Sequence, residues 1–330
     1  MTTRRAPKEK HSRSAAELPS VTLIGYGNWG AALAFALRKA NVPLREIIVR
    51  GPAAADQRRA PLPAKIDARR TTLDDAWLDA DVFWICTPDA VIAEAGEQLA
   101  AALAERQQRS RPVVFHSSGA LGCAELKRLQ ALGASVASVH PLMTFPGQRS
   151  SGSIGQTVSL EHVPFAVEGD ARARRVARRL VRALGGDAFA LPAENKALYH
   201  AFGAFASPLL IALLTATRDA GVAAGLSPTQ ARQRMRPIVE RTVQNFFDDG
   251  PEKSFSGPMA RGDAATISRH LDVLRKYPQL LVTYRELAQF ALESLPVKNK
   301  TQTGEALRRA GISQAFERIE KRRNRTPSTQ

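Results

Sequence analysis

The chain has 330 residues, more than one domain usually holds, so two domains are expected. Hydrophobic residues at 44% can fill two cores, while two cysteines, Cys86 and Cys123, are too few for a disulfide framework and lack metal-ligand spacing. That usage fits a reducing cytoplasm and no metal. The net charge of +16 would suit nucleic acid, but no aromatic-interleaved basic motif accompanies it. Nucleic acid is therefore not an expected partner, and the dispersed arginines read as solvated faces that favour anionic ligands.

Residues 1–19, MTTRRAPKEKHSRSAAELP, lack the apolar stretch of a secretory signal and read as a disordered basic tail. VTLIG (21–25) is a short β-branched run, then a glycine-rich turn leads into the helical pattern WGAALAFALRKA (29–40). EIIVR (46–50), DVFWIC (81–86), PVVFH (112–116) and SVASVH (135–140) continue as strands. Helical patterns over 90–108 and 124–133 lie between the later ones, the second stopped by Gly133. This alternation predicts a doubly wound parallel sheet. A Gly/Ser-rich loop (147–157), a strand over 163–169, a basic helix over 171–184 and a strand over 187–192 extend it.

From Ala193 strand signals vanish, and helices are expected at about 194–224, 228–248, 264–276, 278–294 and 302–323. The predicted organisation is thus the tail, a cofactor domain over 20–192, a helical substrate and dimerisation domain over 193–300, and a C-terminal helix with basic tail over 301–330. The uncharged stretch Ala201–Thr217 approaches spanning length but holds Ser207, Pro208 and two threonines. It reads as a buried helix of a soluble domain, with no membrane partner.

Gly25-Tyr26-Gly27-Asn28-Trp29-Gly30 is G-x-G-x-x-G set between a strand and a helix, the dinucleotide-binding fingerprint of a Rossmann domain. The first glycine permits the tight turn, the second admits the pyrophosphate and the third lets helix pack on strand. The helix N-terminus offers N–H groups to the phosphates. Where NAD binders place an acid after the second strand, this chain has Val49-Arg50-Gly51, with Arg58 and Arg59 beyond. Arg50 suits a 2′-phosphate, so NADP rather than NAD is the expected cofactor. Thr87-Pro88 and Ser117 follow the next strands and are expected at the ribose or nicotinamide. Asp89 fits either that role or a helix cap.

Lys196, His200, Gly203 and Ser207 are spaced by four, three and four, which places them along one helix face. Lys196 or His200 is the expected proton donor, with Ser207 beside the substrate. His140 ends a strand and should face the same crevice. In GPMARGD (257–263) Gly257-Pro258 is expected to form a turn, Arg261 to bind a substrate carboxylate and Asp263 to cap the following helix.

Five segments, GYGNWG (25–30), HSSGAL (116–121), HPLMTF (140–145), KALYHAFGAFAS (196–207) and GPMARGD, together resemble one family. It comprises bacterial Rossmann-like proteins with a C-terminal domain of unknown function, related to pyrroline-5-carboxylate reductase and the β-hydroxyacid dehydrogenases. The resemblance covers about residues 20–295. It implies a 6-phosphogluconate-dehydrogenase-like helical domain, NADP as cofactor and a homodimer. One departure is Pro208, where many members have Asn.

The expected function is NADP-dependent reduction of a small anionic carbonyl compound, for instance a 2-oxo acid such as ketopantoate. The alternatives are imine reduction of the pyrroline-5-carboxylate type and non-catalytic NADP(H) binding. A nucleic-acid-binding role would have to rest on the basic charge alone.

Overall fold

The computed structural model describes residues 18–51, 68–106, 111–145 and 159–309. The basic tails, the 147–157 loop, Arg58 and Arg59 lie outside the described residues. Contacts group the described residues up to Phe205 into one unit and those from Ala206 into another.

The described residues of the first unit form eight strands: β1 (Val21–Ile24), β2 (Leu44–Ile48), β3 (Arg69–Thr71), β4 (Val82–Ile85), β5 (Val113–His116), β6 (Ser135–Pro141), β7 (Pro164–Gly169) and β8 (Asp187–Ala190). They lie in the order β3-β2-β1-β4-β5-β6-β7-β8, which is the expected doubly wound sheet. β1, β4 and β5 are buried at every position, because helices cover both faces and no strand position is left to water. Alternate residues serve alternate faces. Leu23, Ile47, Trp84, Phe115 and Val139 pack with the helices Asn28–Lys39 and Ala171–Ala183. Ile24, Ile48, Phe83, Ile85 and Val114 pack with the helices Ile92–Glu105 and Lys127–Ala131.

Two features depart from the sequence reading. β7 runs antiparallel to β6, with Val139 opposite Val167, so the sheet is not wholly parallel. β3 was not expected, because Arg69-Arg70-Thr71 carries no apolar run. It forms by pairing its backbone with β2.

The second unit is helical, with Leu210–Ala223, Pro228–Asp249, Ala264–Leu274, Pro278–Ser294 and Lys300–Arg309 as its longer helices. Its buried core includes Ile267, Leu271, Leu281, Ala288, Ala306 and Leu307. A capping box starts Pro228–Asp249: Ser227 Oγ accepts from the Gln230 N–H, and Gln230 Oε1 accepts from the Ser227 N–H.

The apolar helix was expected to be buried, and it is not. The run Ala193–Ala223 is 31 residues long, sufficient in length and composition to cross a membrane, and none of its apolar window is buried within the chain. Leu198, Phe205 and Ile211 are exposed on it, as are Ile238, Phe246 and Phe247 on Pro228–Asp249. Periodicity shows that a helix has apolar faces but not whether its own chain covers them.

Candidate functional site

The carboxyl ends of β1, β4, β5 and β6 gather most of the chemistry-bearing residues of the first unit, as a doubly wound sheet dictates. Gly25 turns out of β1 at φ +102°, a left-handed conformation that an L side chain rarely adopts. A Cβ on Gly30 would overlap the Gly25 carbonyl oxygen, so the helix Asn28–Lys39 can lie this close only because Gly30 has none. A Cβ on Gly27 would meet nothing within 4 Å. The second glycine is thus free of neighbours on the side where a pyrophosphate would approach, and helix N–H groups begin beside it. Asn28 is exposed and Tyr26 is buried.

Ser117, one residue past β5, is held by two indoles. Trp29 Nε1 and Trp84 Nε1 each donate to its Oγ at 2.8 Å. A serine oxygen has two lone pairs, so its own O–H is left to donate to a third group. Thr87, just past β4, has a buried Oγ1 with no hydrogen-bond partner among the described residues. A sealed, unsatisfied hydroxyl costs about 1–3 kcal/mol, a cost that a ligand group would remove. Open space at Gly27, a committed donor at Ser117 and an orphaned hydroxyl at Thr87 fit a dinucleotide. Pro88 is exposed beside Thr87, and Arg50 is exposed just beyond β2.

The loop after β5 is tied down from several sides. Ser118 Oγ donates to Asp89 Oδ2 at 2.8 Å, and it accepts from the Leu121 N–H. Asp89 therefore positions this loop, and no side-chain cap is formed at the short helix it begins. Ser118 N–H donates to His116 Nδ1 at 3.2 Å, which leaves Nε2 to donate to the Gly122 carbonyl at 3.0 Å. Both bonds suit a neutral ring. Burial pushes the His116 pKa from 6.5 down to about 4, offset in part by the Gly122 bond.

Lys196 was expected as a proton donor at the wall of a cleft. Its ammonium is instead buried, at 2% exposure, donating to Ser138 Oγ at 2.7 Å and to the Ser118 carbonyl at 3.3 Å. Burial lowers its pKa, while Glu168 favours the charged form. Lys196 is thus an anchor between β6 and the loop after β5.

His200, one turn further on, is exposed, and Gly119 explains how it reaches the loop. A Cβ on Gly119 would stand 2.8 Å from His140 Nε2 and 2.9 Å from His200 Cδ2, so both rings close against its backbone. Gly203 faces Leu142 from the next turn. Lys196, His200 and Gly203 therefore do share the face turned to the sheet, while Leu198 and Phe202 are exposed. The His140 Nδ1 and the Tyr199 hydroxyl are both buried without a hydrogen-bond partner among the described residues. Their rings meet edge to face at 5.8 Å. Burial lowers the His140 pKa to about 4, with Lys196 adding to the shift, and pushes Tyr199 up to about 12.

Protonating either His116 or His140 favours the unfolded chain, whose histidines titrate near 6.5. Stability present above pH 6.5 should therefore drain away as the pH falls toward 4, by on the order of 3 kcal/mol for His116. Melting curves at pH 7.5 and 4.5 should show this loss, and His116→Gln should shrink it. An equal acid loss in that variant would contradict the assignment.

Ser207 and Arg261 belong to the second unit. Ser207 is partly buried in a π-helical turn, Phe205–Leu209, that contains Pro208. Proline lacks an N–H and crowds the preceding turn, and the wider π turn accommodates it. Arg261 is exposed at the end of a short helix, Gly257–Arg261, where a plain turn was expected. Pro258 at the first turn lets that helix start. Asp263 caps the next helix, accepting from the Thr266 N–H at 3.0 Å.

The sequence reading missed the paired indoles on Ser117, the Asp89–Ser118 bond and Tyr199. Each depends on contacts between segments far apart in the chain. Tyr199 sits between two residues that were singled out, yet its side chain points off their stripe and gave no periodic signal.

Family models match the two parts of the chain separately: a Rossmann-like domain over 5–141 and a domain of unknown function, DUF2520, over 163–291. The chain thus carries a Rossmann-like segment followed by a DUF2520 segment. No curated protein matches it by sequence. Among solved structures, a Bacteroides fragilis protein provisionally named an NADP oxidoreductase is similar, with TM-score 0.64 at 19% identity over 82% of this chain and 96% of that one. A Thermotoga maritima protein gives TM-score 0.63 at 20% identity over 88% and 98%. The pyrroline carboxylate reductase of Plasmodium falciparum, solved with NADP bound, gives 0.53 at 12% identity over 89% and 97%. At these identities the likeness to these neighbours establishes the fold alone.

Proposed function

We propose that this DUF2520 protein is an NADP-dependent reductase of a small anionic carbonyl compound, such as a 2-oxo acid. The observation that carries the reading is the exposed His200 ring against Gly119, two residues beyond Ser117, whose hydroxyl is left as a committed donor. On this reading the His200 imidazole is the proton donor beside residues that fit a dinucleotide. Gly25, Gly27, Gly30 and the helix N-terminus would hold the pyrophosphate, and Arg50 the 2′-phosphate. Ser117 and Thr87 would bond the nicotinamide half.

Bound NADPH would supply the hydride to the carbonyl carbon. His200 gives its proton to the carbonyl oxygen, completing the alcohol. His140, neutral near pH 7, and Tyr199 orient the substrate through the sealed polar atoms they hold ready. Lys196 positions the loop rather than touching substrate.

The second reading is imine reduction, favoured by the fold shared with a pyrroline carboxylate reductase. Following NADPH oxidation over 2-oxo acids and cyclic imino acids decides between them. Turnover of 2-oxo acids alone supports the proposal, and turnover of imines alone replaces it. NADPH binding without oxidation of any compound points to the third reading, a non-catalytic binder.

The exposed Leu198, Phe205, Ile211, Ile238, Phe246 and Phe247 support a homodimer, since a second copy would cover them. Light scattering should then give twice the chain mass of 35.8 kDa. A monomer at micromolar concentration would refute the dimer.

A further inference from the structure

Arg70 has no part in the binding and proton transfer proposed above. It lies on β3, where it pairs with Ile47 of β2, and Ile47 in turn pairs with Leu23 of β1. Neighbouring residues in register share a sheet face, so Arg70 stands on the face covered by the helix Asn28–Lys39. From there its guanidinium reaches back over the Tyr26 ring, 5.7 Å from the centroid, into the middle of the G-x-G turn.

The guanidinium is poorly satisfied. Its Nε and Nη2 are sealed from solvent and have no hydrogen-bond partner among the described residues. The neighbouring Arg69 behaves differently, bonding Glu46 Oε1 at 3.3 Å and the Asp75 carbonyl at 2.9 Å. Glu46, the acid nearest the end of β2, is fully buried and accepts the Trp77 and Leu78 N–H groups. It is unavailable to a ribose hydroxyl. An arginine kept partly buried with two idle donors carries a desolvation cost that an anion in reach would offset.

The strand register says which anion. Val49 N–H bonds the Thr71 carbonyl at 2.9 Å, so Arg50 follows β2 directly beside the residues that end β3. Arg50 and Arg70 thus flank the β2 end, which in this fold takes the adenosine ribose. We propose that Arg70 is a second ligand of the NADP 2′-phosphate, reaching it from β3 while Arg50 reaches it from the end of β2. An adenine ring stacked on the guanidinium would leave both idle N–H groups unpaired, whereas a phosphate pairs with both.

The inference rests on the NADP reading proposed above, and its test separates the two. Dissociation constants for NADPH, NADH, 2′,5′-ADP and 5′-AMP are to be measured on the wild type, Arg70→Met and Arg70→Lys, with melting temperatures in the absence of nucleotide. Arg70→Met should weaken NADPH and 2′,5′-ADP by about 10- to 100-fold and leave NADH and 5′-AMP within about twofold. Arg70→Lys should fall between, since it keeps the charge and loses the fork. Without nucleotide, Arg70→Met should melt no lower than the wild type, because it removes idle donors.

Equal weakening of NADPH and NADH, or a lower melting temperature with the NADPH preference intact, would make Arg70 structural and overturn the inference alone. A wild type that binds neither NADPH nor NADH would overturn the NADP reading along with it.

Discussion

His200→Ala should lower kcat on the true substrate by about 10²- to 10⁴-fold, the usual contribution of a positioned proton donor. NADPH affinity should stay unchanged, because the ring touches the Gly119 backbone and His140 and is not among the residues proposed to hold the cofactor. The contrast with Lys196 makes the expectation specific. Both residues lie on one helix face, but the lysine head is sealed against Ser138 and the Ser118 carbonyl. Lys196→Met should therefore act chiefly through stability, with a lower melting temperature and a disturbed loop. If Lys196→Met abolished turnover at full stability while His200→Ala kept it, the two roles would have to be exchanged.

The fingerprint glycines give the second large effect. Gly30→Ala puts a methyl group into the Gly25 carbonyl, a backbone group that can yield only if helix and turn separate. Overpacking of this kind costs about 1–3 kcal/mol. The melting temperature should fall, and NADPH affinity should drop by about 100-fold as the helix N-terminus leaves the turn. Gly27→Ala separates the two consequences. Its backbone is ordinary extended chain, at φ −79°, and its new methyl would meet nothing. Stability without cofactor should be unchanged, while NADPH affinity falls because the methyl occupies the space of the pyrophosphate. Unaltered NADPH affinity in Gly27→Ala would place the cofactor elsewhere.

The parts of this molecule that were legible in its sequence are those written in local periodicity. β1, β4 and β5 are apolar throughout, and the G-x-G-x-x-G turn sits between a strand and a helix as the physics of the turn demands. The stripe of Lys196, His200 and Gly203 was equally readable, since spacing alone sets which residues share a helix face. What spacing could not give is depth. Lys196 and His200 differ by one turn, yet one head is buried in hydrogen bonds and the other is exposed. That difference is decided by Ser138 on β6, nearly 60 residues away.

Four further features were hidden for related reasons. β3 has no apolar pattern because it is a short edge strand held by backbone pairing with β2. The reversal of β7 depends on how the chain returns from β6, which composition does not record. The apolar run Ala193–Ala223 has the composition of a buried helix, yet the described residues leave its most apolar window uncovered. The GPMAR segment reads as a turn from its glycine and proline, but proline at the first helical position is also a helix start, and here the helix forms.

The central claim is that the turn at Gly25–Gly30 binds NADPH, and thermal melting with NADPH, with NADH and with neither tests it most directly. A ligand at about a hundred times its dissociation constant adds about 2.7 kcal/mol to stability. The account predicts a rise of several degrees with NADPH and a smaller one with NADH at the same concentration. An unchanged melting temperature with both, at millimolar nucleotide, would contradict it.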